Sequence, residues 1–253
     1  MTTPRIALVT GGSRGLGRDM AINLAKNGMD VVLTWHSQQA EAEATVATIQ
    51  ALGRQAVALQ LDVAKIADMD AFVALLSATL QSRWQTSEFD ALINNAGMGA
   101  TIPFQQITEN QFDEFLNVHF KSVFFLTQKC LPFLRDGASI VNVSSGTTRF
   151  SIPGYSAYAS AKGAVEVFTK YLAKELGGRG IRANVVAPGP IETDFNGAAI
   201  RNNPQMKSFL GTLSPLGRVG EATDIGGVVA FLCSAQASWI NGQRIEVSGG
   251  ING

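Results

Sequence analysis

Cysteine and histidine are scarce in this chain, with two of each among 253 residues. Cys130 and Cys233 sit in apolar helical patterns, which reads as buried reduced thiols rather than a disulfide or a redox pair. His36 and His119 lie far apart without cysteine or carboxylate neighbours at ligand spacing, so a structural metal site has no support. Net charge is missing too: 20 basic residues balance 20 acidic ones, and no basic run could neutralise a phosphate backbone. Nucleic acid is therefore not an expected partner. Although 46% of the residues are hydrophobic, no run approaches the roughly 20 apolar residues of a membrane span. The opening "MTTPRIALVTGG" enters a strand-like run without the charged, apolar and cleavage regions of a signal peptide, and a cytoplasmic protein is expected. No linker, composition shift or internal repeat divides the chain, which reads as a single domain over residues 1–253.

What is present is an alternation. Seven short aliphatic runs ("RIALVTG", "DVVLTW", "QAVALQLDV", "FDALINNAG", "ASIVNVSS", "IRANVVAPG" and "QRIEVSGG") are separated by longer stretches with apolar residues at three- and four-residue spacing. These stretches, at 15–28, 38–52, 65–83, 111–135 and 157–177, have the length of parallel crossovers, and strands buried on both faces read as near-continuous apolar runs. The pattern predicts an α/β fold with a doubly wound, seven-stranded parallel sheet flanked by helices on both faces. Residues 188–220, with four of the eight prolines and several glycines, read as a lid after the sixth strand.

Two motifs carry chemistry. "TGGSRGLG", residues 10–17, follows the first strand and opens the first helix. Gly11, Gly15 and Gly17 would permit a tight turn, close approach of a pyrophosphate and close helix packing, with helix amides as donors. The spacing is G-x-x-x-G-x-G, and such a loop is either a dinucleotide site or a purely structural turn. In "YSAYASAK", Tyr158 and Lys162 stand four apart and project from one helix face. A nearby ammonium group favours the phenolate, so Lys162 is expected to lower the Tyr158 pKa from its usual value near 10.

Together with "NNAG" at 94–97, these motifs resemble the short-chain dehydrogenase/reductase family over essentially the whole chain, including the tail "PLGRVGEATDIGGVVAFLCS…INGQRIEVSGG". Ser248 departs from the acidic residue the family often has before the paired glycines. The resemblance implies a Rossmann-type oxidoreductase with Tyr158 as proton donor to a carbonyl oxygen and Ser145, thirteen residues earlier, stabilising the developing alkoxide. Lys162 would also hold the nicotinamide ribose. Asn117, in "LNVHF", would position a water near Lys162; its alternative is a helix-kinking polar residue. Ser144 is support.

The resemblance further places the cofactor against Gly11, Ser13, Arg14, Gly15, Leu16 and Gly17, with Tyr158 and Lys162 at the nicotinamide end. Asp62, followed by Val63, would accept from the adenine amine, and Asn94, Ala96 and Gly97 would border the adenine ribose and diphosphate, with Asn95 a stabiliser of the sheet. Pro188, Gly189, Ile191 and Thr193 would pass over the nicotinamide. The second strand ends in "LTWHSQ" without a carboxylate, so a 2′-phosphate is tolerated. Arg14 in the loop, beside Trp35, His36 and Ser37, then points to NADP(H).

Phe150, Ile152, Tyr155, Met98, Phe195, Met206 and Phe209 are candidate walls of a mainly apolar pocket, suited to a ketone on an apolar body or a 3-oxo ester. No arginine is evident there to clamp a 2-oxo acid. The nearest subgroup resemblance is to 3-oxoacyl-thioester reductases, which dock an acyl carrier protein on basic residues. Arg135 is followed by Asp136 without a basic cluster, which weakens that partner. A catalytically silent dinucleotide-binding regulator is the alternative of a different class, though it has no need of Asn117, Ser145, Tyr158 and Lys162 together. A homotetramer is what the family implies.

Overall fold

The computed structural model describes residues 4–251. In chain order the elements are β1 (Arg5–Val9), α1 (Gly15–Lys26), β2 (Met29–Trp35), α2 (Gln39–Ala51), β3 (Ala56–Gln60), α3 (Met69–Trp84), β4 (Phe89–Asn94), α4 (Glu109–Leu116), a π turn (Asn117–Lys121) and α5 (Ser122–Cys130). There follow β5 (Leu134–Val143), α6 (Ser156–Glu175), β6 (Arg182–Pro188), β7 (Ile191–Glu192), α7 (Phe195–Ala198), α8 (Pro204–Leu213), β8 (Gly220–Glu221), α9 (Gly226–Leu232) and β9 (Arg244–Val247). Seven strands form one parallel sheet in the order β3-β2-β1-β4-β5-β6-β9. The expected doubly wound sheet is thus observed.

Alternation within each buried strand divides the core between two faces. Ala7 and Val9 of β1 face a cluster with Met20 and Leu24 of α1 and Val229 and Leu232 of α9. Ile6 and Leu8 face the other way, onto Phe72, Leu76 and Leu80 of α3 and Leu126 and Cys130 of α5. Cys130 and Cys233 are free and buried, and burial pushes both thiols up to about 12. Because β1 lies between β2 and β4, the chain reverses direction across the sheet there, and a crevice opens beyond the carboxyl ends of the strands. The glycine turn and the segments after β4, β5 and β6 meet at that crevice.

Two expectations need correction. The apolar run 111–135 is not one helix: α4 gives way to the π turn, α5 ends at Cys130, and Leu134 already pairs with Phe89 in the sheet. Pro132, with no N–H to donate, sits where a longer helix would need one. The segment 188–220 is more ordered than a bare lid, because β7 pairs with β8 and closes a loop holding α7 and α8. Its tip is unusual: Asn196, Gly197 and Ala198 all take left-handed backbone conformations.

Candidate active site

The glycine turn is built by contacts that leave no room for side chains. Gly11 has φ +63° and donates its N–H to Thr34 Oγ1 at 3.1 Å. A Cβ on Gly17 would stand 2.1 Å from the Gly11 carbonyl oxygen, so α1 rests directly on the turn. Gly15, at φ +54°, is different: a Cβ there would meet only the Thr193 side chain, from 3.8 Å. The first turn of α1 has no side-chain cap and no acidic residue, so its amides face this cradle without a protein acceptor on them. The residues fit a diphosphate between the glycine turn and the segment after β6.

Asn95 locks the turn in place, donating from Nδ2 to Thr10 O at 2.9 Å and Gly11 O at 3.2 Å, while Thr10 Oγ1 accepts the Asn95 and Ala96 N–H groups. Asn95 is thus a stabiliser, of the turn rather than of the sheet. Asn94, expected beside the ribose, is buried and spends its amide on Thr127 and Asn142 inside the sheet. Its side chain is a sheet stabiliser, because strand alternation directs it toward α5. Gly97 passes against His119, whose ring carbon would be 2.9 Å from a Cβ there.

At the adenosine end, Asp62 Oδ1 accepts the Ala64 N–H, and Asp62 Oδ2 lies 3.6 Å from His36 Nε2 and 3.9 Å from Lys65 Nζ. His36 and Ser37 are exposed beyond the end of β2, whereas Trp35 and Leu16 pack against the core and Val63 against the cluster on the opposite face. Ser13 is buried, its carbonyl held by Thr45. Arg14 is not free: its guanidinium pairs with Asp194 at 3.3 Å. On the other wall, Gly189 lies so close to Ser248 that a Cβ would approach within 2.7 Å, Pro188 ends β6 against Val247, Ile191 begins β7, and Thr193 Oγ1 accepts the Phe195 N–H.

Beside this cradle stand Ser145, after β5, and Tyr158 and Lys162, on α6. Tyr158 is buried, and burial pushes its phenol up to about 12, opposed by a hydrogen bond with Ser145. Lys162 donates to Val143 O at 2.7 Å, and its Nζ stands 5.9 Å from the Tyr158 ring centroid. Desolvation lowers the lysine to about 8. The expectation that Lys162 depresses the tyrosine is therefore not met: burial dominates Tyr158, with only the Ser145 hydrogen bond lowering it, and burial alone lowers Lys162. Asn117 opens the π turn, whose signature is the Ser122 N–H donating five residues back to Asn117 O. The π turn brings His119 edge-on to Tyr158, ring centroids 4.9 Å apart.

Residues 11–252 match the family model described as enoyl-(acyl carrier protein) reductase. A 3-oxoacyl-[acyl-carrier-protein] reductase, FabG, of Staphylococcus aureus is 37% identical, over 99% of this chain and 99% of that protein. The chain belongs to the short-chain dehydrogenase/reductase family. Among solved structures similar to it are LugOII, a promiscuous reductase that catalyses keto-reduction at C1 during lugdunomycin biosynthesis (TM-score 0.93, 36% identity, 98% of each chain), and LanV, an angucycline C-6 ketoreductase with bound NADP (TM-score 0.93, 36% identity, 98% of this chain and 95% of that one).

As a short-chain dehydrogenase/reductase the protein is an oxidoreductase that works with a nicotinamide cofactor, and the crevice can be assigned its two ends. Around Tyr158, Met98, Ala100, Ile102 and Tyr155 pack as an apolar wall on Phe115 and Ala157. The Phe195 ring closes the opposite side, 5.9 Å from that of Tyr158 and against Gly99. Ile152, Met206 and Phe209 are exposed, whereas Phe150 turns under Gly146 and supports the loop after Ser145. Ser144 donates to Glu166 at 2.6 Å.

Several functional contacts have no signature in the sequence. Asn196 donates to Tyr155 at 3.0 Å and to Thr101 at 3.1 Å, latching the tip of the lid over Tyr158. Arg244, Glu166 and Glu246 form a charged cluster behind Ser145. Thr10, at the head of the glycine motif, and Thr34, at the end of the second strand, hold the turn through their hydroxyls.

Proposed function

We propose that the protein is an NADPH-dependent carbonyl reductase acting on ketones carried by an apolar body. The observation that carries this reading is the pairing of Ser145 with a buried, protonated Tyr158 between the nucleotide cradle and an apolar wall. A bulky ring system suits that wall, in keeping with the ketoreductions named for LugOII and LanV.

NADP(H) is the cofactor, and NADPH supplies the hydride for the carbonyl carbon. Gly11, Ser13, Gly15 and Gly17 would hold its diphosphate, Arg14 its 2′-phosphate, and Lys162 its nicotinamide ribose. Ser145 donates a hydrogen bond to the substrate oxygen, in the manner of an oxyanion donor. Tyr158, kept protonated by burial, gives its proton to the same oxygen. Lys162 then stabilises the phenolate, and Asn117, at the opening of the π turn, supports proton resupply through solvent.

A 3-oxoacyl thioester is the second reading, favoured by the likeness to FabG. The surface speaks against a carrier-protein dock at the end of α5: Arg135 is engaged by Glu88 and Asp90, and Lys129 by Asp70. The experiment is NADPH consumption by purified protein with a 3-oxoacyl thioester, the matching 3-oxo ester and a panel of cyclic and aromatic ketones. The free ketones are expected to turn over at least as well as the thioester. A strong thioester preference would overturn the substrate reading, and no turnover with any ketone, despite NADPH binding, would leave the silent regulator standing.

A further inference from the structure

The turn after β5 reads Ser145-Gly146-Thr147-Thr148, and it is held from two sides. Gly146 accommodates the Phe150 ring, where a Cβ would meet it at 2.4 Å. From behind, Arg244 donates to Ser145 O at 3.2 Å and to Thr148 Oγ1 at 3.1 Å, while its Nε pairs with Glu166 at 2.7 Å. Glu166 Oε1 also accepts from Thr148 Oγ1 at 2.7 Å. With the turn pinned in this way, Thr147 faces the Ser145 side chain twice: its N–H is 3.2 Å and its hydroxyl 3.0 Å from Ser145 Oγ.

A serine hydroxyl has one proton to donate and two lone pairs to accept with. If Ser145 gives its proton to the phenol oxygen of Tyr158 or to a substrate oxygen, its two acceptor positions are the ones Thr147 fills. The backbone N–H alone would be an ordinary local turn that any residue provides. The hydroxyl is specific to the side chain at this position. We infer that Thr147 is a positioning residue: its hydroxyl fixes the rotation of the Ser145 hydroxyl so that the one serine proton is presented outward, to the Tyr158 oxygen or, with substrate in place, to the reacting oxygen. Without it the Ser145 proton is free to turn back into the loop, and the oxygen that would have received it, phenolate or alkoxide, loses its donor.

This inference rests on the ketoreductase reading, and the test separates the two. Wild-type turnover of a ketone is measured first; its absence sinks that reading and this inference with it. Thr147→Val removes the hydroxyl and keeps the shape and the backbone N–H, whereas Thr147→Ser keeps the hydroxyl. The Val variant is expected to lose about tenfold in kcat, with KM and the NADPH dissociation constant within about twofold of wild type, and Ser to recover most of the loss. In the alcohol-oxidising direction, where Tyr158 must be ionised, the Val variant's rate should rise at higher pH than that of wild type, a displacement that simple loosening of the loop would not produce. Wild-type kcat and pH profile in the Val variant would overturn the inference, as would a Ser variant no better than Val. If Val does not fold, Thr147→Ala against Thr147→Ser carries the same comparison.

Discussion

At the scale of single residues, the site turns on two groups that burial drives toward neutrality. Tyr158, held up at about 12, is a protonated donor throughout the neutral range, so reductive kcat should be flat with pH there while alcohol oxidation rises with pH. Tyr158→Phe should fold and bind NADPH with little change yet lose nearly all turnover; wild-type turnover in that variant would refute the assigned proton donor. Lys162 carries the opposite liability. Its pKa falls from 10.5 to about 8 on folding, so below pH 8 the folded protein bears a desolvated charge that costs on the order of 3 kcal/mol. As pH rises from 8 toward 10.5 the folded group is neutral while the unfolded one still binds its proton, and the cost disappears. Lys162→Met is therefore expected to abolish activity but to raise the Tm of the cofactor-free protein at pH 7 by several degrees, an advantage constant below pH 8 and shrinking above it. Thermal unfolding across that range checks both the size and the sign.

At the scale of elements, the crevice is bounded by a fixed glycine turn and a lid segment that share a contact. Arg14 of the turn pairs with Asp194 of the lid, and Asp194 also pairs with Arg201 at 2.5 Å. In this arrangement Asp194 competes with a 2′-phosphate for Arg14. The partners are about half exposed, so the competition is worth no more than about 1 kcal/mol. Asp194→Asn should tighten NADPH binding by up to about fivefold and leave NADH nearly unchanged, measured by fluorescence titration; equal effects on both would show that the carboxylate does not oppose the phosphate. This contact, like the Arg244 cluster and Thr147, joins residues far apart in the chain or set by a turn, and no spacing announces it. The glycine turn and the Tyr158–Lys162 pair were legible because their geometry is local: a strand-to-helix turn and one turn of helix. Which asparagine of "NNAG" faces the turn was not, since it depends on where β4 ends, and Asn94 is its last paired residue. Nor could helical spacing reveal the burial that sets the Tyr158 and Lys162 pKa values. The run 111–135 read as one helix because "LPFL" is apolar in either structure, and only pairing with β4 decides that Leu134 is strand.

At the scale of the whole molecule, surface remains that the fold does not explain. Among the described residues, Val167 and Tyr171 of α6 are 54% and 62% exposed, and Phe112 of neighbouring α4 is 40% exposed. Phe120 of the π turn, Phe124 of α5 and Phe168 of α6 form an aromatic cluster, with the Phe124 and Phe168 rings stacked 4.7 Å apart and Phe120 edge-on to both. At the far edge of the sheet Trp239 is 98% exposed just before β9. Apolar groups of this size cost free energy in water and are recovered by association. Two separate faces, one on the α4–α6 pair and one beside β9, are what a tetramer with two kinds of interface requires, and they support the homotetramer that family membership suggests. Light scattering on the purified protein should give four times the mass of one chain. Tyr171→Glu should cut that to a smaller assembly by placing a charge in the helix-face contact, and Trp239→Glu should do so at the other, each leaving the sheet and the nucleotide cradle intact. A monomeric mass for the wild type at working concentration would show that these faces stay in solvent.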